Sequence, residues 1–168
     1  MFNADDEELQ RHQSEIQWLK TLRQALEQDN FVLFMQPITA IQQDQPGLHY
    51  ELLLRLSLPD QGLIAPGNFL SSAERYGLMP QIDRWVIRNY FRWLAQQPAH
   101  LAELSLANIN LSGASLTDPL FKAYVSSLFR EYRIPFSKVC FEITESMAIL
   151  NVHQTLDFIS HFLSLIHI

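Results

Sequence analysis

The sequence predicts an α/β fold that corresponds to the N-terminal half of a (β/α)8 TIM-like barrel, with an antiparallel first strand and a preceding linker helix. Four short apolar segments have the length and the flanking turn residues of buried strands. After the first two strands, helical and strand patterns alternate, as they do in a parallel barrel. A complete barrel takes about 250 residues, whereas this chain has 168, so half a barrel is expected.

The composition is that of one packed domain. Hydrophobic residues make up 48% of the chain and there are 11 Phe, which argues against disorder. The net charge of −6 gives no general attraction for a nucleic-acid polymer. The single cysteine, Cys140, excludes an internal disulfide and fits a reducing, cytoplasmic compartment, where we expect a packed and inert thiol. No segment has the pattern of a secretion signal or a membrane span, so no membrane contact is expected of this segment.

The chain begins with a predicted helix over residues 5–29. Apolar residues recur there at helical spacing, and acidic residues crowd its start: the apolar positions are Leu9, Ile16, Leu19, Leu22 and Leu26. We interpret residues 1–20 as a linker helix from an upstream domain and residues 21–168 as the domain that holds the four strands. An ordinary surface helix explains the same pattern equally well.

The remaining elements follow in order along the chain. Strands are predicted at residues 31–38, 49–56, 104–112 and 138–146, and helices at residues 68–76, 80–97, 118–133 and from about 151 onward. The turn at Pro46-Gly47 links the first two strands closely, which favours an antiparallel pair. Pro98 is predicted to stop the long helix, and Asp118-Pro119 to begin the next.

The second strand carries two charged residues inside an apolar run. Alternation places Glu51, Leu53 and Arg55 on one face, and the other face takes the apolar residues Tyr50, Leu52, Leu54 and Leu56. A buried charge needs a partner or a metal. Either Glu51 and Arg55 pair with each other, or they face a functional cavity, and the spacing alone leaves both readings open.

Two later strands each deliver a further oxygen ligand. Asn110 lies near the polar end of the strand predicted at residues 104–112, and Glu142 lies in the strand predicted at residues 138–146. Together with Glu51 they make two carboxylates and one amide carbonyl, which suit Mg²⁺ or Mn²⁺ better than a soft metal.

In this order, the segments resemble the EAL domain, a family that hydrolyses cyclic di-GMP. The family pattern runs Gln-Pro, Glu-Ala-Leu-Leu-Arg, Asn-Leu-Ser and Glu-x-Thr-Glu. This chain matches it at four places, with Leu52 in the position of the usual alanine: Gln36-Pro37, Glu51-Leu52-Leu53-Leu54-Arg55, Asn110-Leu111-Ser112 and Glu142-Ile143-Thr144-Glu145. Several ordered motifs are far more specific than any one of them, and the resemblance covers roughly residues 20 to 163.

The resemblance implies a metal-dependent phosphodiesterase that opens cyclic di-GMP to linear pGpG with Mg²⁺ or Mn²⁺. It implies three kinds of site residue: the metal ligands Glu51, Asn110 and Glu142, of which the two glutamates also count as catalytic; Glu145, which braces a catalytic loop; and the substrate-binding residues Gln36, Arg55 and Leu53. Leu53 also fits a core position. The isolated histidines, His49, His153 and His161, are expected to be hydrogen-bonded or solvated, without a role as ligands.

The resemblance also implies a larger parent protein. An upstream GGDEF-like domain and homodimerisation of the intact domain are expected of it, and its location is expected to be cytoplasmic unless a preceding part anchors it in a membrane. The family's next motif, Asp-Asp-Phe-Gly, and a later catalytic lysine have no counterpart here, so we expect a C-terminally truncated domain that is inactive and marginally stable alone. Residues 163–168 can be encoded by codons that resemble a transposon adapter used in sequencing libraries, and we interpret them as translated adapter. The alternative is a natural truncation. The alternative function is a degenerate EAL module that binds cyclic di-GMP or a protein partner as a regulatory sensor.

Overall fold

The computed structural model describes residues 4–41, 47–144, 149 and 152–166, with side chains from Glu15 to Ser164 within those ranges. The described strands are β1 (Phe31–Pro37), β2 (Leu48–Leu58), β3 (Gly62–Ile64), β4 (Leu104–Asn110) and β5 (Val139–Glu142). The described helices are α1 (Ala4–Glu27), α2 (Leu70–Arg75), α3 (Met79–Ala95), α4 (Pro98–Glu103), α5 (Gly113–Thr117), α6 (Phe121–Tyr132) and α7 (Val152–Ile166). Two 3₁₀ turns lie at Pro66–Asn68 and Phe136–Lys138.

The chain divides into two compact units. The first comprises Met1–Val32 and Leu54–Met79, and the second comprises Leu33–Leu53 and Pro80–Ile168. Strands alternate with helices after the first strand pair, so the predicted α/β class is confirmed.

The first unit packs α1 around aromatic residues. The Phe69 ring lies 6.3 Å from that of Trp18 and 6.1 Å from that of Phe31, measured between centroids. Leu22 is fully buried, as the helical spacing predicts, whereas Ile16 from the same predicted seam is 52% exposed. The third strand, β3, pairs antiparallel with the end of β2. It was not predicted, because three residues are too few to show an alternating pattern.

The second unit contains the sheet that matters for the site. Its strands lie in the order β1-β2-β4-β5. The Ile38 amide donates to the His49 carbonyl at 2.8 Å, in the predicted antiparallel start. Strand β2 then pairs parallel with β4, and β4 pairs parallel with β5. The predicted change from an antiparallel start to parallel strands is therefore confirmed.

Two helix boundaries differ from their predictions. Pro98 does follow the end of α3, but it also begins α4, because proline fits the first turn of a helix, where its missing N–H is not needed. Helix α6 begins at Phe121 and not at Asp118, whose carboxylate instead accepts a hydrogen bond from the Leu120 amide at 2.9 Å. The five-residue helix α5 was not predicted, since it is shorter than two turns.

One face of the parallel strands forms the core of the second unit. Leu52 and Ile109 are 4% and 1% exposed. Phe141 of β5 contacts two rings of α7, Phe158 at 5.8 Å and Phe162 at 5.6 Å between centroids. Trp85 of α3 is buried, as predicted for a core residue. Because this face supplies the hydrophobic contacts, the opposite face is left to polar side chains.

Candidate active site

The opposite face of the parallel strands gathers polar residues from three strands. The register pairs Glu51 with Asn108, Asn108 with Cys140, and Asn110 with Glu142. Side chains at paired positions of neighbouring strands project from the same face. Asn110 and Glu142 are the last residues of β4 and β5. They therefore lie at the carboxyl end of the strands, where barrel enzymes place their active sites.

The three side chains predicted as metal ligands come from adjacent strands of this face. Asn110 Nδ2 donates a hydrogen bond of 2.6 Å to Glu51 Oε1. Asn110 is in register with Glu142, and the Leu111 amide donates to the Glu142 carbonyl at 2.9 Å. Both glutamates are half-buried and Asn110 is exposed. The predicted strand face thus brings two carboxylates and one amide together.

A second series of hydrogen bonds involves residues that were not assigned to the site from the sequence. Asn108 Nδ2 donates to Glu142 Oε1, and Asn108 Oδ1 lies 3.3 Å from His49 Nε2. Because an amide oxygen only accepts, His49 Nε2 must donate in this pair. His49 is hydrogen-bonded, which is one of the two states predicted for it, and the absence of a ligand role stays a prediction. The available signal for Asn108 was its place two residues before Asn110, which puts both on one strand face.

Asp83 of α3 fixes the segment that follows Asn110. Its Oδ2 accepts hydrogen bonds from the Ser112 amide at 2.9 Å, from Ser112 Oγ at 2.7 Å and from Ser115 Oγ at 2.6 Å. Ser112 also caps α5, because its Oγ accepts from the Ser115 amide at 3.3 Å. Burial raises the pKa of Asp83, and the hydrogen bonds from Ser115 and Ser112 oppose that shift. This buried carboxylate therefore anchors the loop two residues beyond Asn110.

The single cysteine lies on the same face but is not activated. Cys140 is half-buried. Burial raises the pKa of its thiol, and the negative charge of Glu142 adds to the shift. A raised pKa favours the protonated and less reactive thiol, and the inert role of Cys140 stays a prediction.

The other residues predicted for the site are Gln36, Leu53, Arg55 and Glu145, and their substrate-binding or bracing roles stay predictions. Gln36 is exposed on β1 and Leu53 is half-buried on β2. Arg55 lies on the part of β2 that belongs to the first unit, where its Nη1 donates to the Leu54 carbonyl at 2.8 Å. Glu145 falls outside the described residues.

The donor set fits a hard divalent cation. Within the described part of the chain no group of three or more His, Cys, Asp or Glu side chains is placed to hold a metal. The oxygen donors that these strands bring together are instead the Glu51 and Glu142 carboxylates and the carbonyl oxygen of Asn110. Such oxygens suit Mg²⁺ or Mn²⁺, and Mg²⁺ commonly uses one or two carboxylates and keeps several waters.

The helices in the described part of the chain include none with the length and hydropathy of a membrane span.

Comparison with known proteins finds one matching family model and similar curated proteins. The family model described as the EAL domain matches residues 19–165. The cyclic di-GMP phosphodiesterase PdeB of Shewanella oneidensis is 35% identical over 157 residues, which are 94% of this chain and 18% of PdeB. The cyclic di-GMP phosphodiesterase PdeF of Escherichia coli is 37% identical over 147 residues, which are 87% of this chain and 19% of PdeF.

A solved structure shows the same fold. The FimX EAL domain from Pseudomonas aeruginosa bound to c-di-GMP matches with a TM-score of 0.80 at 31% identity, over 88% of this chain and 58% of that chain. This chain therefore spans only part of the length of each relative.

Proposed function

We propose that this chain, which belongs to the EAL domain family, carries part of the active site of a metal-dependent phosphodiesterase that hydrolyses cyclic di-GMP to linear pGpG. The observation that supports this most is the arrangement of Glu51, Asn110 and Glu142 on one face of adjacent parallel strands. The names of PdeB and PdeF, and the nucleotide in the FimX structure, agree with it.

In this proposal the three side chains hold Mg²⁺ or Mn²⁺. A bound divalent ion lowers the pKa of a water and neutralises charge that develops on the phosphoryl group. Glu51 and Glu142 supply the negative charge that binds the ion, and Asn110 supplies a neutral oxygen. The hydrogen bond from Asn110 also fixes the orientation of Glu51.

The sequence motifs assign the substrate-binding roles. Gln36, Leu53 and Arg55 contact the nucleotide in this proposal, and an arginine suits a phosphate because its planar fork donates two parallel hydrogen bonds. Glu145 braces the loop that carries further acidic residues. We also propose that residues 1–20 lead from an upstream GGDEF-like domain, that the intact domain forms a homodimer in the cytoplasm, and that the 168-residue chain alone is inactive.

The test is hydrolysis of cyclic di-GMP by the full-length protein that contains this segment. Product is measured by chromatography with Mg²⁺, with Mn²⁺ and after EDTA treatment, for the wild type and for Glu51→Ala. We expect turnover to need the metal and to be abolished in Glu51→Ala, because the site loses a carboxylate. Glu103→Ala is the matched control, since Glu103 is exposed in α4. A Glu51→Ala variant that cleaves at the wild-type rate contradicts the site assignment.

The sensor alternative makes a different prediction for the same protein. The FimX EAL structure is described as bound to c-di-GMP, so binding is the property that a module without turnover keeps. Calorimetry that shows cyclic di-GMP binding, in a preparation that forms no product with either metal, favours the sensor over the enzyme.

A further inference from the structure

We propose that Asn108 and His49 are positioning residues that hold the Glu142 carboxylate in the orientation in which it binds the metal. The inference rests on the proposed function, because it concerns the same metal site. It goes beyond the three ligands by assigning a task to two residues that touch neither the metal nor the substrate in the proposal.

The first step is the contact with the ligand itself. Asn108 Nδ2 donates to Glu142 Oε1. The two residues are on neighbouring strands, but Asn108 is in register with Cys140 and not with Glu142. The hydrogen bond therefore runs diagonally and fixes one carboxylate oxygen toward the strand, which leaves the other oxygen, Oε2, to the metal. Mutation of a group that orients a ligand in this way typically costs about 10- to 100-fold in metal affinity or activity.

The second step is the direction of the Asn108 amide. A rotation of half a turn would present Oδ1 to Glu142, and two oxygens would then repel each other. The Glu142 carboxylate, which only accepts, therefore fixes this orientation, and His49 Nε2, 3.3 Å from Oδ1, supports it in the tautomer in which Nε2 carries the proton. In that tautomer His49 holds Asn108 in the direction in which it offers a donor, and not an acceptor, to the carboxylate.

The third step is burial. Asn108 is 9% exposed, so water does not readily replace either hydrogen bond. Asn110, two residues later on the same face, is exposed, and its side chain donates to Glu51. The two asparagines therefore have different tasks: Asn110 is placed to reach the metal, and Asn108 is placed to orient a ligand.

The experiment measures Mn²⁺ binding to the full-length protein from the electron paramagnetic resonance signal of free Mn²⁺. The Glu142→Gln variant identifies the sites that depend on Glu142. We expect Asn108→Leu, which keeps the shape but no hydrogen bond, to weaken that class of site by about 10- to 100-fold. His49→Leu is expected to weaken it by a smaller factor, and His49→Gln, whose side-chain amide can still donate, to restore affinity.

Controls separate positioning from general damage. His153→Leu is the matched control, because His153 is exposed on α7. Thermal melts of every variant check that the site is measured in folded protein. Raising the Mn²⁺ concentration should recover the kcat of Asn108→Leu but not that of Glu142→Gln, since only the latter lacks the ligand.

The outcomes distinguish the two proposals. If Glu142→Gln removes a class of Mn²⁺ sites and Asn108→Leu binds as the wild type does, the positioning role is overturned and the metal site stands. If Glu142→Gln binds Mn²⁺ as the wild type does, the metal site is overturned, and the positioning role with it. If Asn108→Leu does not fold, the His49 pair decides, because equal affinities of His49→Leu and His49→Gln overturn the positioning role.

Discussion

The two faces of strands β2, β4 and β5 differ sharply, although they share one backbone. On one face Leu52 and Ile109 are 4% and 1% exposed and pack in the core. On the other face Glu51, Asn110 and Glu142, each next in sequence to a residue of the first face, are half-buried or exposed. Alternation with a period of two residues is enough to separate the two environments.

Alternate residues of the same strands therefore serve stability on one face and chemistry on the other. The apolar face contributes by removing hydrophobic surface from water. The polar face buries little hydrophobic surface, because its side chains bond mainly to one another, as Asn110 does to Glu51. A substitution should therefore change either activity or the free energy of unfolding, depending on the face, and this separation can be tested.

The largest effect is expected on activity, from Glu142→Ala in the full-length protein. Loss of a proposed metal ligand should lower kcat/KM by about 1000-fold or more, which corresponds to about 4 kcal/mol in the transition state. The melting temperature should change little by comparison. Steady-state hydrolysis of cyclic di-GMP and a thermal melt measure the two quantities. A large loss of stability with unchanged kcat/KM would refute the division between the faces.

The second effect is expected on stability, from Ile109→Ala. Ile109 is 1% exposed and adjoins Asn110 in the sequence. Truncation of a buried isoleucine should lower the free energy of unfolding by about 2–5 kcal/mol, because it removes buried surface and leaves a cavity. Denaturant titration measures this change. Ser105→Ala, at an exposed position of the same strand, is the control. The comparison fails if folded Ile109→Ala loses activity as severely as Glu142→Ala.

The sequence was sufficient for the two faces but not for every contact. Alternation alone predicted that Glu51 and Leu52 lie on different faces of the strand, and the ordered motifs singled out Asn110 and Glu142. The role of Asn108 was missed because it depends on the register of three strands, which sequence spacing does not specify. Asp83 was missed as an anchor because Ser112, its partner, is 29 residues away.

The third effect concerns this anchor. Asp83→Ala leaves the half-buried donors of Ser112 and the buried hydroxyl of Ser115 without their shared acceptor, which should lower the free energy of unfolding by about 3 kcal/mol. Asp83→Asn keeps an oxygen acceptor and is expected to cost less. Urea titrations of the three proteins at neutral pH measure the difference. Equal destabilisation by alanine and asparagine would contradict an anchoring role for the hydrogen bonds.

The same pair of variants tests the pKa shift of Asp83. Burial raises this pKa in the folded chain, so the folded state holds the proton more tightly than the unfolded state does. The contribution of Asp83 to stability is then greatest below the ordinary carboxyl pKa and falls as the pH rises through the raised value. Asp83→Asn lacks this step. Its stability relative to the wild type should therefore increase across that interval, and a constant difference from acid to neutral pH would refute the shift.

The smallest effect is expected where the apolar face carries a polar atom. Tyr50 is 4% exposed, and its hydroxyl lies 2.7 Å from the Tyr90 hydroxyl and 2.9 Å from His100 Nε2. Tyr50→Phe should cost about 1 kcal/mol, since it removes hydrogen bonds but almost no buried surface. A double-mutant cycle with Tyr90→Phe is the sharper measurement, because the two hydroxyls share one contact and the double variant should cost less than the sum of the single variants. Additive costs would show that the two hydroxyls do not stabilise each other, and any cost of Tyr50→Phe would then come from its contact with His100.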